Sequence, residues 1–469
     1  MLRPKIALLV FGESCQRQDV YLKRKAVSDR ESSRFLVSLE NVATVVRPVD
    51  ELRGKGDVKK ALSLLEPDLD AVVLYVPVFV SPALVAHTGN LLGRPFALAG
   101  NTAPDSLSQL AFLAVAGALD QLGLKYHRVL GDAAESGQME KLSCFLRAAA
   151  AKTRLKGETF GCIGGRSLGI SPGVSDPAQW ERLFNVDVEH IDQFEIYLRA
   201  QRQPQEKVDL QMKWLEKMTG SIQYNETKLT KESLELQIRS YLAIKEICSE
   251  YELDFIGVKC QPELSNGFCL QCVGVSLCND PYDAEGPKTP IQCSCEADAD
   301  GALTMRLLST LSGGKPSCLN DIASVTGSSI TLANCGAMAT SFAACSASAE
   351  QNLKAVTLVP HNFGKAGGAA VKFTVPPDRI MTFARLLRTP EGYRIGAFTG
   401  KTVLKSREGL GDALQVRPLI FADLSIDEDR FLATFGSNHI LAVEGNFLNE
   451  LEAFAAISGI SFLNYNSEI

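Results

Sequence analysis

Residues 289–321 read TPIQCSCEADADGALTMRLLSTLSGGKPSCLND. The run IQCSC has the length of a short strand, and Leu303, Leu307, Leu308 and Leu311 fall along one face of a following helix. Gly313 and Gly314 end that helix, and PSCLN is read as the next strand. Strand, helix and strand in this order predict a βαβ unit whose two strands are parallel. Asp300 is read as the helix N-cap and Asp298 as a solvated acid near the same helix end. Glu296 and Asp321 differ from them, because each directly follows the last residues of a strand. In a parallel pair both emerge at the carboxyl edge, where open α/β sheets place their ligands. A right-handed crossover then brings the two carboxylates within reach of one ion.

The same rhythm extends toward the N-terminus. IALLVFG (6–12), ATVVRPV (43–49), DAVVLYVPVFV (70–80) and RPFALAG (94–100) have the continuous apolar character of strands buried on both faces. DVKKALSLLEP (57–67) and SLSQLAFLAVAGALDQLG (106–123) have helical spacing. This alternation predicts a helix-covered parallel sheet in residues 1–155. A second α/β unit, 156–330, holds TFGCIGG (159–165), the long helix KESLELQIRSYLAIKEICSEY (231–251), the strand DFIGVKC (254–260) and the opening stretch. Residues 331–469 read as mainly β. Their predicted strands are AVTLVPH (355–361), AAVKFTV (369–375), TFARLLR (382–388), YRIGAFTGKTV (393–403) and ALQVRPLIF (413–421), and NFLNELEAFAAISGI (446–460) is a final helix.

Composition limits the function classes. The 469 residues are 46% hydrophobic and 22% charged, an ordinary globular balance for a chain long enough for two or three domains. A net charge of −6 argues against a general nucleic-acid binder or a partner for anionic membrane. No apolar run approaches the length of a membrane span, and the core Ile6–Phe11 reads as a buried strand and not a secretory leader. A cytoplasmic location is therefore expected. The 13 cysteines are odd in number and read as reduced thiols. Six of them, Cys260, Cys269, Cys272, Cys278, Cys293 and Cys295, fall in one window. A thiolate metal or redox centre is one alternative there, although the C-x-x-C at 269–272 and the C-x-C at 293–295 do not make two matched zinc knuckles.

Of the five histidines, His87, His127 and His190 read as structural or surface residues. His361 ends a strand in VPHNFG, and His439 follows a Gly-Ser-Asn turn in FGSNHILAVEGNF, directly before an apolar strand.

Three segments, CEADADGALTMRLLSTLSGGKPSCLND, FGCIGGRSLGISPGVSDP and GSNHILAVEGNF, together resemble the L-fucose isomerase and L-arabinose isomerase superfamily, nearest its fucose isomerase-like branch. The layout is similar too: an α/β fold with two Rossmann-like α/β domains followed by a mainly β C-terminal domain. The resemblance implies a metal-dependent aldose–ketose isomerase working through a cis-enediol. It implies one Mn2+ ion, with Mg2+ or Co2+ as substitutes, held by Glu296, Asp321 and His439, the two carboxylates also serving as acid and base. Asn438 matches a residue that contacts sugar, and Gln261 lies where the family has a sugar-binding glutamine. Lys259 and Arg166 stand at other strand ends as further substrate-binding candidates. The second histidine of arabinose isomerases is absent from NCGAMATSFA. A homo-oligomer, trimeric or hexameric, is also implied. Neutral sugars and phosphorylated or sulfonated sugars both remain open as substrates. A sugar-binding protein without catalysis is the other alternative, since fold does not fix function.

Overall fold

The computed structural model describes residues 2–13, 18–132 and 136–467. By packing, the chain forms two compact units, Met1–Arg154 with Asn449–Gly459, and Leu155–Leu448 with Ile460–Ile469.

The first unit is built on a five-stranded parallel sheet. Its spatial order is Thr44–Val46, Lys5–Val10, Ala71–Val76, Phe96–Gly100 and His127–Leu130. Numbered along the chain this is 2-1-3-4-5, a doubly wound order. Alternate residues of each strand serve different cores. Ala7, Leu9 and Leu74 pack with Phe112 and Val115 on one face, and Ile6, Leu8 and Val73 pack with Phe145 and Leu146 on the other. Two buried faces explain why these strands read as unbroken apolar runs. The strand His127–Leu130 escaped the sequence reading because its HRVL pattern is mixed. The helix Leu448–Ser458 completes this unit: Ile457 lies against the second core, and Arg147 Nε donates to Glu450 Oε1 at 3.0 Å.

The second unit contains a four-stranded parallel sheet, in the order Gln292–Cys295, Phe255–Val258, Thr159–Ile163 and Asp187–Ile191. It also holds a mixed, largely antiparallel sheet ordered Ile380–Thr389, His439–Glu444, Ser317–Val325, Ser329–Ala333, Leu419–Leu424, Gly392–Thr402 and Ser461–Asn464. A further pairing of Ile380–Thr389 with Gly392–Thr402 closes this sheet into a barrel. The α/β class with parallel sheets first and a β-rich C-terminal region is as predicted. Among the described residues no helix is long and apolar enough to cross a membrane.

The βαβ reading of the opening stretch fails in one respect. Gln292–Cys295 pairs parallel with Phe255–Val258, whereas Ser317–Val325 pairs antiparallel with both Ser329–Ala333 and His439–Glu444 in the other sheet. The helix Ala299–Ser312 between them is buried on nearly every side, with only Arg306 partly exposed. A helix buried all round lies between two layers, and its leucine stripe marks one of two packed faces.

Candidate active site

In the parallel sheet of the second unit, Val258 pairs with both Ile163 and Cys295. The chain segments that follow these strands therefore leave the sheet at one carboxyl edge. Strand order reverses between Thr159–Ile163 and Phe255–Val258, which makes this edge a topological switch point. Arg166, Lys259, Gln261 and Glu296 all belong to these exits.

Glu296 is set by a strained turn. It has φ 61° and Ala297 has φ 52°, two consecutive residues with a Cβ in the left-handed region. Each costs roughly 1–2 kcal/mol, which surrounding contacts must offset. The turn lies hard against the neighbouring strand at Gly257, where a Cβ would come within 2.9 Å of Ala297 Cα and 2.8 Å of Ser294 Oγ.

Asp321 and His439 meet by another route. They face each other across the antiparallel pair Ser317–Val325 and His439–Glu444. His439 Nε2 lies 3.4 Å from Asp321 Oδ1 and 3.5 Å from Glu296 Oε2. The predicted triad is thus brought together, but by two different sheets and not by one crossover. Asn438 Nδ2 is 3.5 Å from Asp321 Oδ1, and Gln261 shares a narrow cavity with Glu296. The Glu296 side chain is 11% exposed and that of Asp321 31%, so the site opens toward solvent on the Asp321 side.

Asp298 overturns its sequence reading. It is the N-cap of Ala299–Ser312, accepting from Gly301 N at 2.9 Å, and it is fully buried. Arg385 Nη1 donates to Asp298 Oδ2 at 2.7 Å and Nη2 to Oδ1 at 2.9 Å, a bidentate pair within the core. His439 Nδ1 donates to Asp298 Oδ2 at 2.8 Å. A solvated acid could do none of this. The carbonyl of Pro172 accepts from Arg385 Nη2 at 2.9 Å, and a Cβ on Gly173 would stand 3.3 Å from Asp298. The segment ISPG thereby closes over the pair.

Asp300 is not the cap either. Its Oδ1 accepts from Tyr393 Oη at 2.7 Å, and that hydroxyl accepts from Trp180 Nε1 at 2.8 Å. Sequence reasoning missed Arg385 and Tyr393. The available signal was Arg385 in the middle of the otherwise apolar stretch 382–387.

Burial pushes the Glu296 carboxyl up to about 7, with the Cys335 sulfur adding to the rise and His439 opposing it. Burial would also raise Asp298, but Arg385 and His439 outweigh it and hold that carboxyl below the usual range. Burial lowers His439, yet its hydrogen bonds to Asp298 and Asp321 raise it to about 10. Burial, helped by Asp298 and opposed by Tyr393 and Arg385, takes Asp300 to about 7.

The other candidates sit apart. Arg166 is exposed in the loop after Thr159–Ile163, and Lys259 Nζ is paired to Glu263 Oε1 at 2.9 Å. The cation beside the site is Arg417, whose Nη1 is 3.7 Å from Asp321 Oδ2 and whose guanidinium lies over Phe363. Its buried Nε has no hydrogen-bond partner. His361 is engaged elsewhere, with Nδ1 accepting from Phe363 N at 2.9 Å and Nε2 against the Cys335 carbonyl. The described cysteines are all free thiols, and only Cys345 is more than marginally exposed.

The donor set of Glu296, Asp321 and His439 fits a hard divalent cation by three observations. Glu296 Oε2 is buried without a hydrogen-bond partner. Nδ1 of His439 is committed to Asp298, which leaves Nε2 as the coordinating nitrogen, the arrangement usual for a ligating histidine. Donor atoms 3.4 and 3.5 Å apart also match pairs that share an ion at about 2.0–2.2 Å. Among the described residues, however, no three His, Cys, Asp or Glu side chains form a ready metal cage.

Residues 332–466, including Asn438 and His439 but neither acid, match the family profile described as L-fucose isomerase, C-terminal domain. The chain is similar to a sulfoquinovose isomerase from Alkalicoccus urumqiensis, 24% identical over 280 residues, or 59% of this chain and 58% of that protein. Sulfoquinovose isomerases from Priestia aryabhattai and Priestia megaterium are each 24% identical over 292 residues, 61% of this chain and 60% of theirs. The chain thus matches less than two thirds of the length of these relatives. The resemblance to the fucose isomerase-like branch is borne out.

Proposed function

We propose that this chain is a divalent-metal-dependent aldose–ketose isomerase acting on an anionic hexose, a sulfonated sugar of the sulfoquinovose type. The observation that carries the reading is the convergence of Glu296, Asp321 and His439 Nε2, with Nδ1 of that histidine fixed by Asp298. Glu296, Asp321 and His439 would hold Mn2+, or Mg2+ or Co2+ in its place. When bound, the ion supplies Lewis-acid stabilisation of the charge that develops on the sugar oxygens.

The remaining work falls to the protein. Glu296 and Asp321 take the proton from C2 and return it to C1 while the C2 hydroxyl proton passes to the C1 oxygen, so the aldose becomes the ketose through a cis-enediol. Asp298 and Arg385 keep the imidazole from turning. Gln261 and Asn438 offer amide groups to sugar hydroxyls. Arg417 carries an unpaired buried donor beside Asp321 and is the group that meets the anionic substituent. The working form is a homo-oligomer, trimeric or hexameric.

The test is ketose formation by metal-stripped protein with and without Mn2+, on sulfoquinovose, L-fucose, D-arabinose and L-arabinose. Mn2+-dependent conversion of sulfoquinovose is expected, and Arg417→Gln should raise KM for that sugar far more than for any neutral one. Conversion of neutral sugars alone would remove the anionic substrate. No conversion and no Mn2+ binding would remove the enzyme reading.

A further inference from the structure

A group of thiols beside Glu296 has no part in the proposed chemistry. Cys295 ends the strand Gln292–Cys295 and immediately precedes Glu296, and Cys335 follows the strand Ser329–Ala333. Their sulfurs are 3.1 Å apart. Cys272 Sγ also donates to the Cys335 carbonyl, at 3.7 Å. Cys260, Cys272, Cys295 and Cys335 line one narrow cavity with Gln261 and Glu296.

We propose that Cys295 and Cys335 form a reversible disulfide that switches the site off through Glu296. The sulfurs need to approach by only about 1 Å to reach the bond length of ~2.05 Å. This closeness also argues against a soft-metal site, where two thiolates at about 2.3 Å from one ion stand farther apart. The Cys335 backbone is held in place. His361 Nε2 bonds its carbonyl, and the preceding Asn334 side chain donates to the Leu319 carbonyl at 2.8 Å while accepting from Gly336 N at 3.0 Å. The adjustment therefore falls on Cys295 and on the left-handed turn of Glu296 and Ala297. Gly257 leaves that turn no slack on its other side.

The oxidant is a small peroxide, matched to a cavity too narrow for a bulky aromatic disulfide. Cys335, on the anchored backbone, is the nucleophile, with Cys295 Sγ 3.1 Å away as the resolving thiol. Its thiolate attacks one oxygen of hydrogen peroxide, the O–O bond breaks, and the departing hydroxide takes up a proton to leave as water. The Cys335 sulfenic acid is then attacked by the Cys295 sulfur. The S–S bond forms, the S–O bond breaks, and the second hydroxide leaves as water with the Cys295 thiol proton. Two thiols and one peroxide give one disulfide and two waters, with two electrons moving from sulfur to oxygen. A dithiol reductant reverses the step.

The experiment treats the full-length protein with hydrogen peroxide, alkylates the remaining thiols and maps the peptides. A Cys295–Cys335 cross-link, lighter by two hydrogens, is expected, with loss of isomerase activity that dithiothreitol restores. Cys335→Ser should show the same activity after peroxide as before it, whatever its starting level, while Cys272→Ser should remain as sensitive as the parent. The activity arm rests on the isomerase reading, but the peptide map does not, so the two can fail separately. Oxidation of the half-buried Cys345 without the 295–335 link overturns the proposal, as does a cross-link between Cys272 and Cys335. A 295–335 link with activity unchanged overturns the switch. Should Cys335→Ser not fold, the map of the parent and the response of Cys272→Ser still decide.

Discussion

Replacing Asp298 with alanine removes three interactions at once. The N-cap bond to Gly301 is worth about 1 kcal/mol. The bidentate pair with Arg385 is larger: Arg385 is fully buried, and breaking such a pair costs about 3–5 kcal/mol because the remaining charge has no water to return to. Together these give a loss of about 4–6 kcal/mol, a large share of the ~5–15 kcal/mol that holds an ordinary domain folded. The third interaction is the bond that fixes His439, whose loss should weaken divalent-metal affinity by about 10–100-fold. Urea unfolding at pH 7 measures the first quantity, and Mn2+ titration of the folded fraction measures the second. Asp298→Asn keeps the Gly301 bond but removes the anion facing Arg385 and turns an N–H toward both Arg385 Nη1 and His439 Nδ1. It should therefore lose most of the Arg385 contribution, retain the cap contribution, and bind metal poorly because the ring proton is driven onto Nε2. Because the Asp298 carboxyl is depressed, its contribution is complete above the ordinary carboxylate pKa and is lost as pH falls through its lower folded value. An Asp298→Ala protein that unfolds within about 1 kcal/mol of the parent would refute the reasoning, since that is the effect of an ordinary surface change.

Two further outcomes follow from the same unit. Burial raises Asp300 to about 7, so its favourable contribution is fully present below its ordinary pKa of 3.8 and is lost as pH rises through about 7. Asp300→Asn cannot ionise and still accepts from Tyr393, so its melting temperature should overtake that of the parent between pH 5 and pH 8. Parallel melting curves across that range would count against the burial argument. Gly257→Ala places a methyl against Ala297 and should destabilise by about 1–3 kcal/mol, with loss of isomerisation, in urea and activity assays. A fully active variant of parental stability would show that the Glu296 turn tolerates displacement.

The apolar strands of the first unit were legible because burial on both faces writes itself as an unbroken run. Glu296, Asp321 and His439 were legible from the motifs that carry the family resemblance. The layer relationship was not. PSCLN reads as a strand in either sheet, since a short apolar run carries no mark of its partner's direction, and parallel or antiparallel pairing depends on segments far away in sequence. Asp298 and Arg385 were missed for a related reason. An acid near a helix start is usually wet, and only tertiary packing of the barrel strand Ile380–Thr389 brings a buried arginine onto it. The sequence offers two acids at this helix start with one residue between them, Asp298 and Asp300, and the helix is capped by the earlier one.

The cross-strand pairing of Asp321 with His439 ties the site to the barrel's register. Side chains alternate along a strand, so a slip of one residue would send either group to the opposite face. Whatever ligand bridges them stabilises a single alignment of two distant chain segments and none of the slipped ones. A bound ion would then act as a rivet as well as a reagent, its binding energy added directly to the stability of that alignment. On the proposed reading, chelation would cost the barrel part of its rigidity along with the chemistry.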